Sequence, residues 1–318
     1  MTLQHAIPMP GMLHPAGPAA SPLASLGWVL LAISVVVVLV VSALVLTAAL
    51  RAGRESTGVR RSGRGLSWIV VGGLVVPTVI LTIVFVLTVR TLGAASPPAR
   101  SAATIQVVGH RWWWEVRYLD SLPADIAVTA NELHLPVGQP VRLELSSADV
   151  IHSFWVPELA GKTDLIPGQH NVAWLEADHP GVYWGTCGEY CGLEHARMQL
   201  TVVAEPPAAF RRWLDRQRQA AAAPSSAAAL AGQGLVTEGA CALCHTVRGT
   251  TAGGRLGPDL THVGSRRMLA AGAVANGRGG LTAWIADPQG LKPGSAMPAV
   301  GLSGPELQAV VAYLETLR

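Results

Sequence analysis

The sequence predicts a multi-domain membrane protein: two transmembrane α-helices, then an all-β sandwich, then a small all-α domain. Three features lead there. Two long uncharged apolar runs stand near the N-terminus, a middle stretch alternates apolar and polar residues between turn signals, and the last segment has a Gly-rich middle between helical ends. Composition agrees, since 50% of the 318 residues are hydrophobic and only 14% charged, with a mean hydropathy of +0.37, too apolar for an ordinary soluble enzyme. A net charge of +3 with no basic stripe argues against a nucleic-acid partner.

Residues 27–50 and 66–89 contain no charged side chain, and each run can cross a hydrocarbon core of about 30 Å at about 1.5 Å per residue. They form the expected hairpin, residues 26–90, after an N-terminal segment at 1–25. Pro77 in the second run is tolerable in lipid if neighbouring groups satisfy the freed carbonyl. The loop at 51–65 carries Arg51, Arg54, Arg60, Arg61 and Arg64 against Glu55 alone, whereas residues 1–26 have no Lys or Arg. The positive-inside rule therefore puts the loop in the cytoplasm and everything after residue 89 on the outer face. A signal peptide is the competing reading of the first run, but a basic n-region is missing and the run exceeds a usual h-region.

Residues 101–205 change character. Val141, Leu143 and Leu145 interleave with Arg142 and Glu144, a half-buried strand pattern, and Pro136-Val137-Gly138, Pro167-Gly168 and Pro180-Gly181 supply turns. A β-sandwich follows. Residues 206–231 are Ala/Pro-rich with an Arg-rich stretch at 211–218, and read as a linker or short helical connector. Residues 232–318 end in helical spacing at Leu307, Val310, Val311 and Leu314.

Only four cysteines occur, as two pairs, one in each outward module. The first lies in Cys187-Gly188-Glu189-Tyr190-Cys191-Gly192-Leu193-Glu194-His195-Ala196-Arg197-Met198. Two thiolates, an imidazole and a thioether are soft and borderline ligands that suit copper, and His152, from a distant strand, would supply one more imidazole. A Cys187–Cys191 disulfide or a zinc site with His195 remains open on spacing alone. Neither accounts for Met198 and His152.

His152-Ser153-Phe154-Trp155-Val156-Pro157, Gly161-Lys162-Thr163-Asp164-Leu165-Ile166-Pro167-Gly168, the cysteine loop and Gly109-His110-Arg111-Trp112-Trp113-Trp114 together resemble subunit II of the haem-copper cytochrome c oxidases. With the two apolar runs, the resemblance spans about the first 205 residues. It implies a cupredoxin sandwich holding binuclear copper A. Cys187 and Cys191 would bridge two coppers, His152 and His195 would each bind one, Met198 would be a weak ligand, and Glu189 would give its carbonyl. The Glu189 carboxylate would face a magnesium ion shared with subunit I. Trp112 resembles the aromatic residue that receives or relays electrons, although sandwich core is the plainer reading for any one of Trp112, Trp113 and Trp114. Lys162 and Asp164 match residues at the subunit I interface, as a salt bridge or in proton exit. Departures exist: Gly65-Leu66-Ser67-Trp68-Ile69 lacks the glutamate that usually opens the second helix, Arg111 replaces a common glutamine and Trp113 a common tyrosine.

The second pair, Cys241-Ala242-Leu243-Cys244-His245, has the spacing of covalent c-type haem attachment, read here as two thioethers from consecutive turns of one helix with His245 on the iron. The sixth ligand should be Met297, in Pro293-Gly294-Ser295-Ala296-Met297-Pro298, which is similar to the methionine loop of class I cytochromes c. Met268 and His262 are rivals without a Gly/Pro frame. Pro258 resembles the proline whose carbonyl orients the haem histidine.

The implied function is the electron-receiving subunit of a terminal oxidase. An external cytochrome c or small donor would reduce haem c, and the electron would pass through copper A to the oxygen-reducing centre of subunit I. The expected setting is the bacterial inner membrane with both redox domains periplasmic, and partners are subunit I, subunit III, the donor and lipid. A copper A nitric oxide reductase subunit and a stand-alone electron-transfer module are the alternatives. Quinol oxidase subunits lack the copper ligands.

Overall fold

The computed structural model describes residues 11–52, 64–94, 96–122 and 125–318. The chain forms two compact units, residues 19–96 and the remainder. In the first, α1 (Ser21–Ala52) starts a few residues before the apolar run, and the second run is α2 (Arg64–Val70), a π-helical turn (Val71–Val75) and α3 (Val76–Ala94). Stretches of 31 residues (Ser21–Arg51) and 29 residues (Gly65–Gly93), with hydropathies of 3.3 and 2.8, are long and apolar enough to span a bilayer. The π turn lies directly before Pro77, where the helix must absorb a missing N–H, and the Thr78 hydroxyl donates to the Leu74 carbonyl at 2.7 Å. Arg51 and Arg64 border the predicted cytoplasmic loop; Arg54, Glu55, Arg60 and Arg61, like residues 1–10 of the N-terminal segment, lie outside the described residues.

In the second unit, two five-stranded sheets face each other. One has the order β3-β2-β1-β5-β8, built from β1 (Thr104–His110), β2 (Trp113–Tyr118), β3 (Ala127–Ala130), β5 (Val141–Ser147) and β8 (Asn171–Leu175). The other has the order β4-β10-β9-β6-β7, from β4 (Glu132–Pro136), β6 (His152–Trp155), β7 (Thr163–Leu165), β9 (Gly181–Cys187) and β10 (Gln199–Glu205). β1 and β5 run parallel, as do β4 and β10, and the other neighbours are antiparallel. The predicted alternation is realised: Val141, Leu143 and Leu145 are buried between the sheets while Arg142 faces out. The same period in β1 buries Ile105 and Val107, and with Trp114, Leu133 and Val202 these side chains fill a single core.

The segment read as a linker or short helical connector packs on the sandwich. Its first half is α4 (Pro207–Gln217), whose Phe210 and Trp213 insert into the sandwich core. Trp213 stacks on His134 with ring centroids 3.9 Å apart, and Arg218 pairs with Asp120. Beyond it, the Gln219 carbonyl meets His262 Nε2 at 3.1 Å, and Ala221 N–H donates to the Arg248 carbonyl at 2.9 Å. The last segment then begins with α5 (Ala227–Thr237), whose first turn is capped by the Ser226 hydroxyl. After the short strands β11 (Met268–Leu269) and β12 (Val274–Ala275) come α6 (Arg278–Ala286), α7 (Pro288–Leu291) and α8 (Gly304–Thr316). α8 opens with a Ser303/Glu306 capping box and a proline in its first turn, and buries Val310, Val311 and Leu314 against a second core with Val236 and Leu281.

Candidate copper and haem centres

β6 delivers His152 and the end of β9 delivers Cys187, because Phe154 and Cys187 are paired across the two strands. The chain then leaves the sheet in a tight loop, closed by a 3-10 turn at His195–Arg197, and re-enters at β10. This loop brings the donors together. Cys187 Sγ and Cys191 Sγ stand 3.8 Å apart; His152 Nδ1 lies 3.9 Å from the first sulfur and His195 Nδ1 3.6 Å from the second. Met198 Sδ is 3.8 Å from Cys191 Sγ, and the Glu189 carbonyl oxygen is 3.1 Å from Cys187 Sγ. Every residue expected at this centre is thus within reach of one sulfur pair. Ligand atoms of His152, Cys187 and Cys191 all lie within 4.8 Å of one another, and all three residues are buried.

The electrostatics of this donor set call for a cation. The Cys187 thiol is pushed down to about 3, chiefly by the hydrogen bond from Cys191, and that same bond pushes the Cys191 thiol up. Two buried sulfurs so close hold one negative charge readily and a second only with added positive charge, such as a bound metal ion would supply. Cys187 and Cys191 stand here as free thiols with their sulfurs 3.8 Å apart. The outer nitrogen of His152 meets Asp149 Oδ1 at 2.8 Å, which orients the ring so that Nδ1 faces the sulfur. Asp149 escaped the sequence reading; its only signal is its spacing of three residues before His152.

The three tryptophans separate cleanly. Trp114 is fully buried sandwich core, Trp113 stacks on His110 at 4.3 Å, and Trp112 alone reaches the cysteine loop, donating from Nε1 to the Cys191 carbonyl at 3.0 Å. The Glu189 carboxylate points away from the sulfurs to Lys162 Nζ at 3.3 Å, and Lys162 also lies 3.4 Å from Asp164.

In the last segment the Cys-x-x-Cys-His run corrects one expectation. Cys241 and Cys244 do not sit on consecutive turns of one helix: they belong to a 3-10 turn, Ala240–Leu243, that follows α5, and Cys244 is its cap. His245 Nδ1 lies 2.7 Å from the Pro258 carbonyl, a bond it makes as donor, leaving Nε2 with a lone pair for a metal. Burial pushes the His245 imidazolium below its ordinary value, which favours that neutral form. Gly257 must lack a side chain, because a Cβ there would stand 2.6 Å from the His245 ring. Met297 packs on the same core as Cys241, Ala242 and Leu260. Its loop is tied by Gln289, which donates to the Met297 carbonyl at 3.0 Å and the Ser295 carbonyl at 2.9 Å. Of the rivals, His262 turns to Gln219 and Met268 lies in β11. Free thiols at Cys241 and Cys244, a neutral imidazole at His245 and a thioether at Met297 are a donor set that fits a covalent haem.

Comparison with known proteins finds a match for the sandwich and another for the last segment. Residues 124–205 match the family model of the cytochrome c oxidase subunit II periplasmic domain, and residues 229–318 match that of cytochrome c. Cytochrome c oxidase subunit 2 of Bacillus subtilis is 30% identical over 270 residues, covering 80% of this chain and 74% of the relative. The chain belongs to the cytochrome c oxidase subunit II family. The namesake of Alkalihalophilus pseudofirmus is 39% identical over 215 residues, 67% of this chain and 61% of the relative's length. Among solved structures, the periplasmic domain of subunit II of Bradyrhizobium japonicum cytochrome oxidase is 28% identical with a TM-score of 0.36, over 39% of this chain and 97% of that one. This subunit II carries two apolar helices and a cupredoxin-like sandwich, and it continues into a cytochrome c domain.

Proposed function

We propose that this chain is the electron-receiving subunit of a terminal oxidase, with residues 101–205 as a copper A domain and residues 232–318 as a haem c domain. The observation that carries the reading is the convergence of four donors, from His152, Glu189, His195 and Met198, on the sulfur pair of Cys187 and Cys191. Bound there, two coppers would supply a one-electron carrier; Cys241, Cys244, His245 and Met297 would hold the haem. The residues do the positioning. Asp149 fixes the His152 ring, the Pro258 carbonyl fixes His245, and Trp112 lies on the loop backbone where an incoming electron would reach Cys191. The route runs from an external cytochrome c or small donor through haem c and copper A to subunit I, on the outer face of a bacterial cell membrane, with subunit III in the complex. Glu189, with its exposed carboxylate beside Lys162, is the residue to hold magnesium at the subunit I face.

The test is replacement of one bridging sulfur. Cys187→Ser in the purified complex is expected to abolish the near-infrared and multi-line paramagnetic signals of a mixed-valence copper pair while covalent haem stays in place. One zinc and no copper in the wild-type protein would sink the copper A reading.

A further inference from the structure

Lys292 follows α7, five residues before Met297, and is only 2% exposed. Its ammonium donates to three main-chain carbonyls from three separate segments: Trp112 at 2.7 Å, Arg197 at 2.8 Å and Ala270 at 2.9 Å. The first two belong to the sandwich, and Arg197 stands between the proposed ligands His195 and Met198. An ammonium has three N–H donors and no acceptor, so three carbonyls satisfy it completely. Burial pushes its pKa down to about 7, with the buried Glu194 carboxylate opposing. A charge held this deep is tolerable only while every donor is met, which couples its burial to the docked arrangement.

The backbone around this contact is bent to make it. Ala270 and Ala271 have φ of 51° and 58°, left-handed values that residues with a Cβ rarely adopt, and the Ala271 carbonyl accepts from Gln199 N–H at 3.0 Å across the same seam. Gly294 approaches the sandwich so closely that a Cβ on it would lie 3.0 Å from Leu193 and 3.6 Å from the Trp112 ring. The methionine loop therefore rests on the indole whose Nε1 donates to the Cys191 carbonyl.

We propose that Lys292 is a positioning residue that clamps the Met297 loop against Trp112 and the 195–198 turn, so that the haem-binding and copper-binding segments face each other in a standing contact. Electron transfer between them then needs no search by a tethered domain. The proposal rests on the haem and copper reading above. Lys292→Met keeps the unbranched stem and removes all three donors; Lys292→Gln keeps two N–H groups. In the intact complex, Lys292→Met is expected to raise amide hydrogen exchange in residues 192–199 and 268–272, while the copper and haem spectra stay as in the wild type. Its interdomain electron-transfer rate, after flash reduction of the haem, is expected to fall by at least about tenfold and to become dependent on viscosity, with Lys292→Gln between the two. The wild-type rate is expected to be viscosity-independent. Unchanged exchange and an unchanged rate in Lys292→Met, a viscosity-dependent wild type, or loss of the metal centres from both variants would each overturn the positioning role. Absence of haem or copper from the wild type would instead overturn the function on which it rests.

Discussion

His245 and Met297, the two residues proposed to bind the haem iron, are held by different means. The histidine is fixed by the Pro258 carbonyl and by the missing side chain of Gly257, the methionine by Gln289 gripping its loop. A thioether stabilises ferrous iron relative to water or nitrogen ligands. Met297→Ala is therefore expected to lower the haem midpoint potential and remove the sulfur-to-iron absorption band in a redox titration; retention of both would transfer the ligand role to Met268. A second residue-scale prediction concerns His134, which lies outside both centres. Burial opposes its charge, but Glu132 and Glu205, one on each ring nitrogen, outweigh it and hold its pKa above the ordinary 6.5. Both nitrogens meet carboxylates, so the ring is an imidazolium. Glu205, hydrogen-bonded to His134 and near Arg216 and Arg267, lies below the ordinary 4.5. The stabilisation from His134 is complete below its unfolded value and fades as pH rises through the folded one; that from Glu205 fades as pH falls through its lowered value. The urea midpoint of the outer unit should thus drop as pH rises from the ordinary histidine value through the raised His134 value, and His134→Gln should flatten this drop.

Among the elements, α4 was the least legible. Its arginines drew attention while its buried stripe of Phe210, Trp213 and Gln217 went unread, because an 11-residue helix between Pro- and Ala-rich flanks carries a weak periodic signal. Trp213 is largely buried between Tyr118, with ring centroids 5.1 Å apart, and His134. Trp213→Ala should cost about 3 kcal/mol in outer-unit stability by chemical denaturation, whereas exposed Arg211→Ala should change it by less than about 0.5 kcal/mol. Other elements were readable for definite reasons. Two runs with no charge over a bilayer's width admit few structures, and strands with one wet face announce themselves by period, as Val141–Leu145 does. The proposed copper ligands were legible because five of the six sit within twelve residues of one loop, and the proposed haem attachment because its five residues are contiguous. Asp149, Gln289 and Lys292 were not, since each acts through carbonyls or rings that only the fold brings near: Lys292 lies 180 residues from Trp112 in sequence.

For the whole molecule, the question is whether the haem segment is an accessory or a required step. Residues 217–221 are bonded to Arg248 and His262 rather than left free, so the haem-binding segment stays beside the sandwich by direct contact as well as by the chain. The same segment packs at Gly294 against the ring of Trp112, the proposed electron-entry residue, whose Nε1 donates to the Cys191 carbonyl. Donor access to copper A should then pass through the haem, and holding the two segments together replaces a second encounter with an internal transfer. Truncation has to respect α4: a stop at Glu205 would strip Trp213 from His134 and confound the result, whereas a stop after Gln219 keeps the helix and the Arg218–Asp120 pair. In a complex carrying that truncated subunit with its copper signals intact, oxygen uptake driven by the natural donor at low concentration should fall by at least about tenfold, because the donor's docking face and first acceptor are both gone. Small artificial reductants, which need no docking face, should still support turnover through Trp112. Full turnover with the natural donor would show that it reaches copper A directly, and the obligatory relay through haem c would be lost.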